Sequence, residues 1–210
     1  MIGEANGLPD RKAVWRSYAK KEEDAVQNKG FPYIRCLFCK TGASRNAVRQ
    51  IEESGLGMAL HPQKVEPFYR NGVWRDVQKP LLPGYVFVYA QESYPAWKLL
   101  KIDGVIRLLT YGEEDSDGYL NGKDGRFAEW LLGNDGLVEK LEAIREGSYV
   151  RIVDGLLKDY NGKVIKVNKQ QHMAYLSLDM VGAIHYIWLG FQFIEEKTLG
   201  PSSADDKKTE

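Results

Sequence analysis

The sequence predicts an α+β protein: an N-terminal α/β sandwich on an antiparallel sheet with a hairpin insertion, then a small β-barrel. Two patterns carry this reading. Between residues 33 and 112 the order is strand, helix, hairpin, strand, helix, strand. From Ser148 onward only short strands follow, separated by glycine turns at close spacing, the signature of a small barrel. A third pattern divides the chain by charge. Residues 33–112 hold eleven basic and six acidic groups, and residues 113–142 three basic and nine acidic. The expected segments are an N-terminal extension (1–32), the sandwich domain (33–112), an acidic linker with a short helix (113–142), the barrel (143–196) and a disordered tail (197–210).

In order along the chain, Asp10 is placed to cap a short helix through Lys29, with Val14, Trp15, Tyr18 and Val26 as sparse apolar positions. Gly30 and Pro32 end it. Tyr33 to Phe38 reads as a strand. Ser44 is an N-cap candidate for a helix through Glu53 whose buried side holds Val48 and Ile51. Asn71-Gly72 predicts a two-residue hairpin turn, because both positions tolerate positive φ. Pro80-Leu81-Leu82-Pro83-Gly84 is a rigid turn. Tyr85 to Tyr89 is apolar throughout, as in a strand buried on both faces. A short helix over Ala96–Lys101 and a strand over Val105–Leu109 complete the first part. Asp124 is placed to cap a helix through Leu132, with Phe127, Trp130 and Leu131 on its apolar side. Barrel strands are expected over 148–153, 163–168, 173–179 and 184–189, with turns at Asp154-Gly155, Asn161-Gly162 and Val181-Gly182.

The chain has 210 residues, with 29 Lys+Arg against 29 Asp+Glu. Its neutrality is a cancellation of blocks, so it does not argue against a nucleic-acid partner. No apolar run reaches the ~18 residues of a membrane helix, and the first residues lack the pattern of a secretory signal. Two cysteines make no disulfide framework. A cytoplasmic protein without membrane contact is expected.

Two segments resemble one family. Pro80-Leu81-Leu82-Pro83-Gly84-Tyr85-Val86-Phe87-Val88 is similar to the signature of NusG-type amino-terminal (NGN) domains. Ser148 to Val164 resembles the KOW motif that opens their SH3-like carboxy-terminal barrel. Lys40-Thr41-Gly42, Trp130 to Gly136 and Ile187-Trp188-Leu189-Gly190 are similar to the specialised LoaP branch. The resemblance spans roughly residues 33–196. One departure is Leu156, where the family usually has proline. The resemblance implies a transcription elongation and antitermination factor that docks on the clamp helices of RNA polymerase through Pro80, Leu82, Pro83, Gly84 and Tyr85. For the barrel it implies a nascent RNA hairpin, or a ribosomal or termination-factor protein, as partner. Non-template DNA is a further implied contact, and a monomer is expected.

Tyr69, Arg70, Trp74 and Arg75 near the hairpin tip are candidates for stacking on unpaired bases and holding phosphates. Cross-strand aromatic pairing explains the same composition. In the barrel the candidates are Arg151, Lys158, Lys163, Lys166 and Lys169. Lys163 and Lys166 are an odd number of residues apart, so a regular strand would send them to opposite faces unless a bulge intervenes. Lys158, Lys166 and Lys169, near loop ends, are the better cluster.

Cys36-x-x-Cys39 has no second cysteine pair to complete a zinc site. Its offset on a strand points the two side chains apart, so both read as small buried hydrophobes. No catalytic set, metal site or cofactor is expected. The competing readings are an RNA- or ribosome-binding KOW protein without polymerase contact, and a redox protein built on the two cysteines.

Overall fold

The computed structural model describes residues 30–112, 115, 117–146, 149–152 and 163–194. The helix expected over 10–29, the turns at Asp154-Gly155 and Asn161-Gly162, Lys158 and the tail lie outside them.

The first sheet is built around β1 (Tyr33–Cys39) and β5 (Tyr85–Ala90). It runs β2-β5-β1-β6, with β2 at Met58–Leu60 and β6 at Val105–Leu108, and its neighbours are antiparallel. The uninterrupted apolar run of β5 has the meaning expected of it. Val86 and Val88 pack on one side of the sheet with Leu37, Ile51 and Leu99. Phe87 and Tyr89 pack on the other with Ile34, Phe127 and Leu131. Each such side chain, fully buried, contributes about 1.5–3 kcal/mol.

Helix α1 (Ser44–Glu53) has the expected bounds, but Ala43 occupies the N-cap position and offers no side-chain acceptor. Ser44 is instead buried within the first turn. With Ala47 and Ile51 it forms a narrow stripe of helical spacing that seats α1 on the sheet. Helix α2 (Trp97–Leu100) lies on that side too, through Leu99.

Helix α3 (Gly122–Gly133) covers the opposite side. Asn121 is its N-cap residue, and Asp124 lies in the first turn rather than at the cap. The helix of the expected acidic linker 113–142 is therefore packed into the core: Phe127, Ala128, Leu131 and Leu132 are buried. The Tyr89 hydroxyl donates to the Ala128 carbonyl at 2.8 Å. Arg35 pins the approach to α3. It is 1% exposed, donates to the carbonyls of Asp117 (2.7 Å) and Tyr94 (2.8 Å), and lies over the Tyr119 ring at 4.2 Å.

The hairpin of β3 (Gln63–Arg70) and β4 (Val73–Pro80) turns at Asn71 (φ 53°) and Gly72 (φ 79°), the positive-φ pair that the sequence predicts. A two-residue strand, β7 (Leu137–Val138), adds in parallel to β3.

The C-terminal part is a five-stranded sheet, ordered β10-β11-β12-β8-β9. Its strands are β8 (Leu141–Glu146), β9 (Tyr149–Ile152), β10 (Lys163–Asn168), β11 (Met173–Met180) and β12 (Ala183–Phe193). β8 and β12 pair in parallel, and the other neighbours are antiparallel. Alternation along β11 buries Ala174, Leu176, Leu178 and Met180. This apolar face belongs to the same cluster as Leu81, Leu82, Phe87 and α3, so the two parts of the chain share a core.

Candidate macromolecule-binding surfaces

The Pro80–Tyr85 turn is tied down from both ends. Leu81 N–H donates to Pro62 O at 2.9 Å, and Tyr85 N–H to Leu82 O at 3.1 Å. Gly84 has φ 88° and accepts from Cys39 N–H at 2.7 Å. A Cβ there would lie 2.9 Å from the Phe38 ring and 3.0 Å from Cys39 O, so only glycine fits this bend without strain. Pro80 and Pro83 are exposed, whereas Gly84 and Tyr85 are half-buried. Leu82, expected as a surface anchor, is 1% exposed and sits in the core.

The C-terminal sheet is what covers this turn. The His185 ring meets the Tyr85 ring edge-on at 5.1 Å. Beside it, Lys64 Nζ donates to the Trp188 carbonyl at 2.5 Å. Lys64 also pairs with Glu66 (2.6 Å), which pairs in turn with Lys79 (2.7 Å). Lys64 and Glu66 are each 8% exposed. Gly190 closes the contact, because β3 passes so near that a Cβ there would lie 3.0 Å from Val65 O.

Two titratable groups at this contact are perturbed. Burial lowers the His185 pKa, a shift only partly opposed by Asp179. Burial raises that of Glu66, but the hydrogen bonds and charges of Lys64 and Lys79 outweigh it and the net shift is downward. Both groups therefore bind fewer protons in place than in an unfolded chain, and acid weakens the contact. His185 holds its full contribution above its ordinary value of 6.5 and loses it as pH falls from there through its own lower value. Glu66 does the same from 4.5 downward. Protection of the β3 and β12 amides, measured against the slower intrinsic exchange at low pH, should fall between pH 7 and pH 5. A His185→Phe chain, which keeps an aromatic edge, should lack that step.

The hairpin separates the residues proposed for it. Tyr69 and Trp74 are direct cross-strand partners with ring centroids 5.1 Å apart, and they are 57% and 51% exposed. Arg70 and Arg75 have the opposite parity, aligned with Val73 and Phe68, and so project from the other face. The aromatic pair and the arginines do not form one patch.

In the C-terminal sheet a bulge between Val164 and Lys166 changes the expected geometry. Lys163 aligns with Ser177 and Lys166 with Tyr175, two residues of one parity, so both lysines share a face. Lys169 follows in the turn after β10 and is exposed. Arg151 lies on β9, at the opposite edge of the sheet, and does not join them. Lys166 Nζ sits 5.2 Å from the centroids of both Tyr175 and Trp188. These rings were not among the sequence candidates. Counting outward from the Val181-Gly182 turn would have paired them.

Cys36 and Cys39 are free and buried, on opposite sides of the first sheet. Burial raises both thiols, Cys36 well above the ordinary range and Cys39 to about 11, so neither is a ready thiolate nucleophile. Among the described residues no group of three or more His, Cys, Asp or Glu gathers as a metal site, and no helix is long and apolar enough to cross a membrane.

An α+β part presenting a rigid turn is joined to an all-β part with lysines and rings on one face, features suited to contact with a macromolecule. Comparison with known proteins gives its likenesses. Residues 35–118 match the family described as transcription termination factor nusG, and over that stretch the chain is NusG-like. It is 24% identical over 157 residues to the transcription termination/antitermination protein NusG of Pseudomonas aeruginosa, covering 72% of this chain and 89% of that protein. It is 23% identical over 147 residues to the NusG of Buchnera aphidicola, covering 69% and 80%. A solved structure described as domain interaction in Thermotoga maritima NusG has a TM-score of 0.45 and 15% identity, covering 75% of this chain and 93% of that one.

Proposed function

We propose that this chain is a specialised, LoaP-like elongation factor that promotes processive antitermination. It binds the clamp helices of RNA polymerase through the N-terminal domain (33–112) and RNA or a protein partner through the KOW barrel (143–196). The observation that carries this reading is the NusG match over residues 35–118, which contains the whole Pro80–Tyr85 turn. Pro80, Pro83, Gly84 and Tyr85 supply the docking contacts, with Leu82 holding the turn's shape from beneath. The factor performs no covalent step and takes no cofactor. It acts in the cytoplasm by stabilising one conformation of the enzyme it rides on.

The arrangement of the C-terminal sheet adds a condition. Tyr85 is half-buried against His185, so a polymerase that uses this ring must displace the sheet, and docking energy is reduced by the cost of that release. The test is transcription by purified bacterial polymerase through a terminator, with and without the protein. Read-through should rise with the wild-type chain and fall back to baseline with Tyr85→Asp. If the wild-type chain fails to bind polymerase while it retains RNA or ribosome affinity, the function is that of a KOW protein acting without polymerase.

A further inference from the structure

We infer that the exposed face of β10, β11 and β12 is a stacking platform for unpaired RNA bases, formed by Tyr175, Tyr186 and Trp188 with Lys163 and Lys166. This rests on the RNA reading of the C-terminal domain given above and specifies its site and chemistry. The three rings come from two strands. Tyr175 and Trp188 are direct cross-strand partners, with centroids 4.8 Å apart and planes at 39°. Tyr186 is the diagonal neighbour of Tyr175, at 5.9 Å and nearly parallel at 19°. Tyr186 is 59% exposed, so its ring is open to a ligand.

The charges point to the same occupant. The bulge in β10 puts Lys163 and Lys166 at the edge of the ring cluster. Lys166 already lies over two of the rings, within reach of a phosphate beside a stacked base. Asp179, the acidic residue of this parity on β11, aligns with Ile184 near the Val181-Gly182 turn, away from Lys166. A protein partner would favour an apolar centre, since lysine is depleted from the cores of protein interfaces; here a lysine sits over the rings. A duplex offers its bases only at the ends, whereas exposed rings on a sheet face stack on bases that are splayed out.

The test titrates the full chain against three probes. They are a short single-stranded RNA of mixed sequence, the same sequence as a blunt duplex, and an abasic strand of equal length. The single strand should bind tightest. Tyr175→Ala and Tyr186→Ala should each weaken it by roughly 5- to 150-fold, while Trp188→Phe and Tyr175→Phe stay near wild type because they keep a ring. Tyr186, being exposed, is the variant least able to disturb the fold. If the alanine chains keep wild-type affinity, or the abasic strand binds as well as the base-bearing one, the platform is overturned while charge-driven RNA binding stands. If none of the probes binds, the RNA reading of the domain falls as well.

Discussion

A Gly190→Val chain should lose the contact between β3 and β12. The glycine lies where a Cβ would meet Pro67 Cδ at 2.9 Å, Val65 O at 3.0 Å and Lys140 Cγ at 3.3 Å. The nearest obstacles are a proline ring and a strand backbone, which cannot rotate aside as a flexible side-chain tip can. Overpacking of this kind costs about 1–3 kcal/mol. The cheapest relief is to separate the strands. Separation also breaks the Lys64–Trp188 hydrogen bond and leaves Lys64 and Glu66 open to water. It frees Tyr85 from His185. Hydrogen exchange should then rise at β3 and β12 while the β10–β11 ladder keeps its protection. If the C-terminal sheet must leave Tyr85 before polymerase docks, the same chain should bind polymerase more tightly than wild type. Equal affinity would mean that the sheet is no obstacle. Uniform loss of protection through β10 and β11 would mean that Gly190 is needed for the sheet itself.

This contact was not legible in the sequence, and the reason is physical. Local signals decide the elements near in sequence: α1 and β10 have the expected bounds, and Asn71-Gly72 makes the expected turn. What the sequence reading missed depends on partners far along the chain. Leu137–Val138 becomes a strand because it aligns with Gln63 and Lys64, and nothing within two residues could announce that. The pattern of Phe127 and Leu131 predicted a helix, but not that its apolar side would be built into the core. The segment's charge suggested a linker. Asp124 and Glu129 ride on a helix that is nonetheless buried along its other side.

The binding surfaces follow the same division. Tyr69 and Trp74 were identified from composition and do pair, but hairpin register sends Arg70 and Arg75 to the other face. The bulge at Val164/Lys166 is one residue wide and has no sequence mark, yet it decides that Lys163 and Lys166 share a face. The rings opposite them had a signal that could have been used. The two-residue turn at Val181-Gly182 fixes the pairing of β11 with β12, and from there Tyr175 falls opposite Trp188 by counting.

The largest expected loss of stability follows from Leu82→Asp. Leu82 shares its cluster with Phe87, Leu131 and Leu189, elements from both parts of the chain. Removing the side chain alone would cost about 2–5 kcal/mol. A carboxylate at that depth adds a further desolvation penalty, because the cluster that surrounds it is built of apolar side chains. Together these approach the whole stability of an ordinary domain, about 5–15 kcal/mol. Leu82→Asp should therefore abolish polymerase binding by unfolding the protein, with loss of cooperative thermal denaturation. Tyr85→Asp is the informative counterpart. Its ring is half-buried at the rim of the same cluster, so the chain should stay folded, with a lowered melting temperature, and lose polymerase binding alone. A Leu82→Asp chain that melts like wild type would show that this side chain can reach solvent, and would restore it as a surface anchor. If Tyr85→Asp is folded and still binds polymerase, the turn is only the hinge beneath a docking surface located elsewhere.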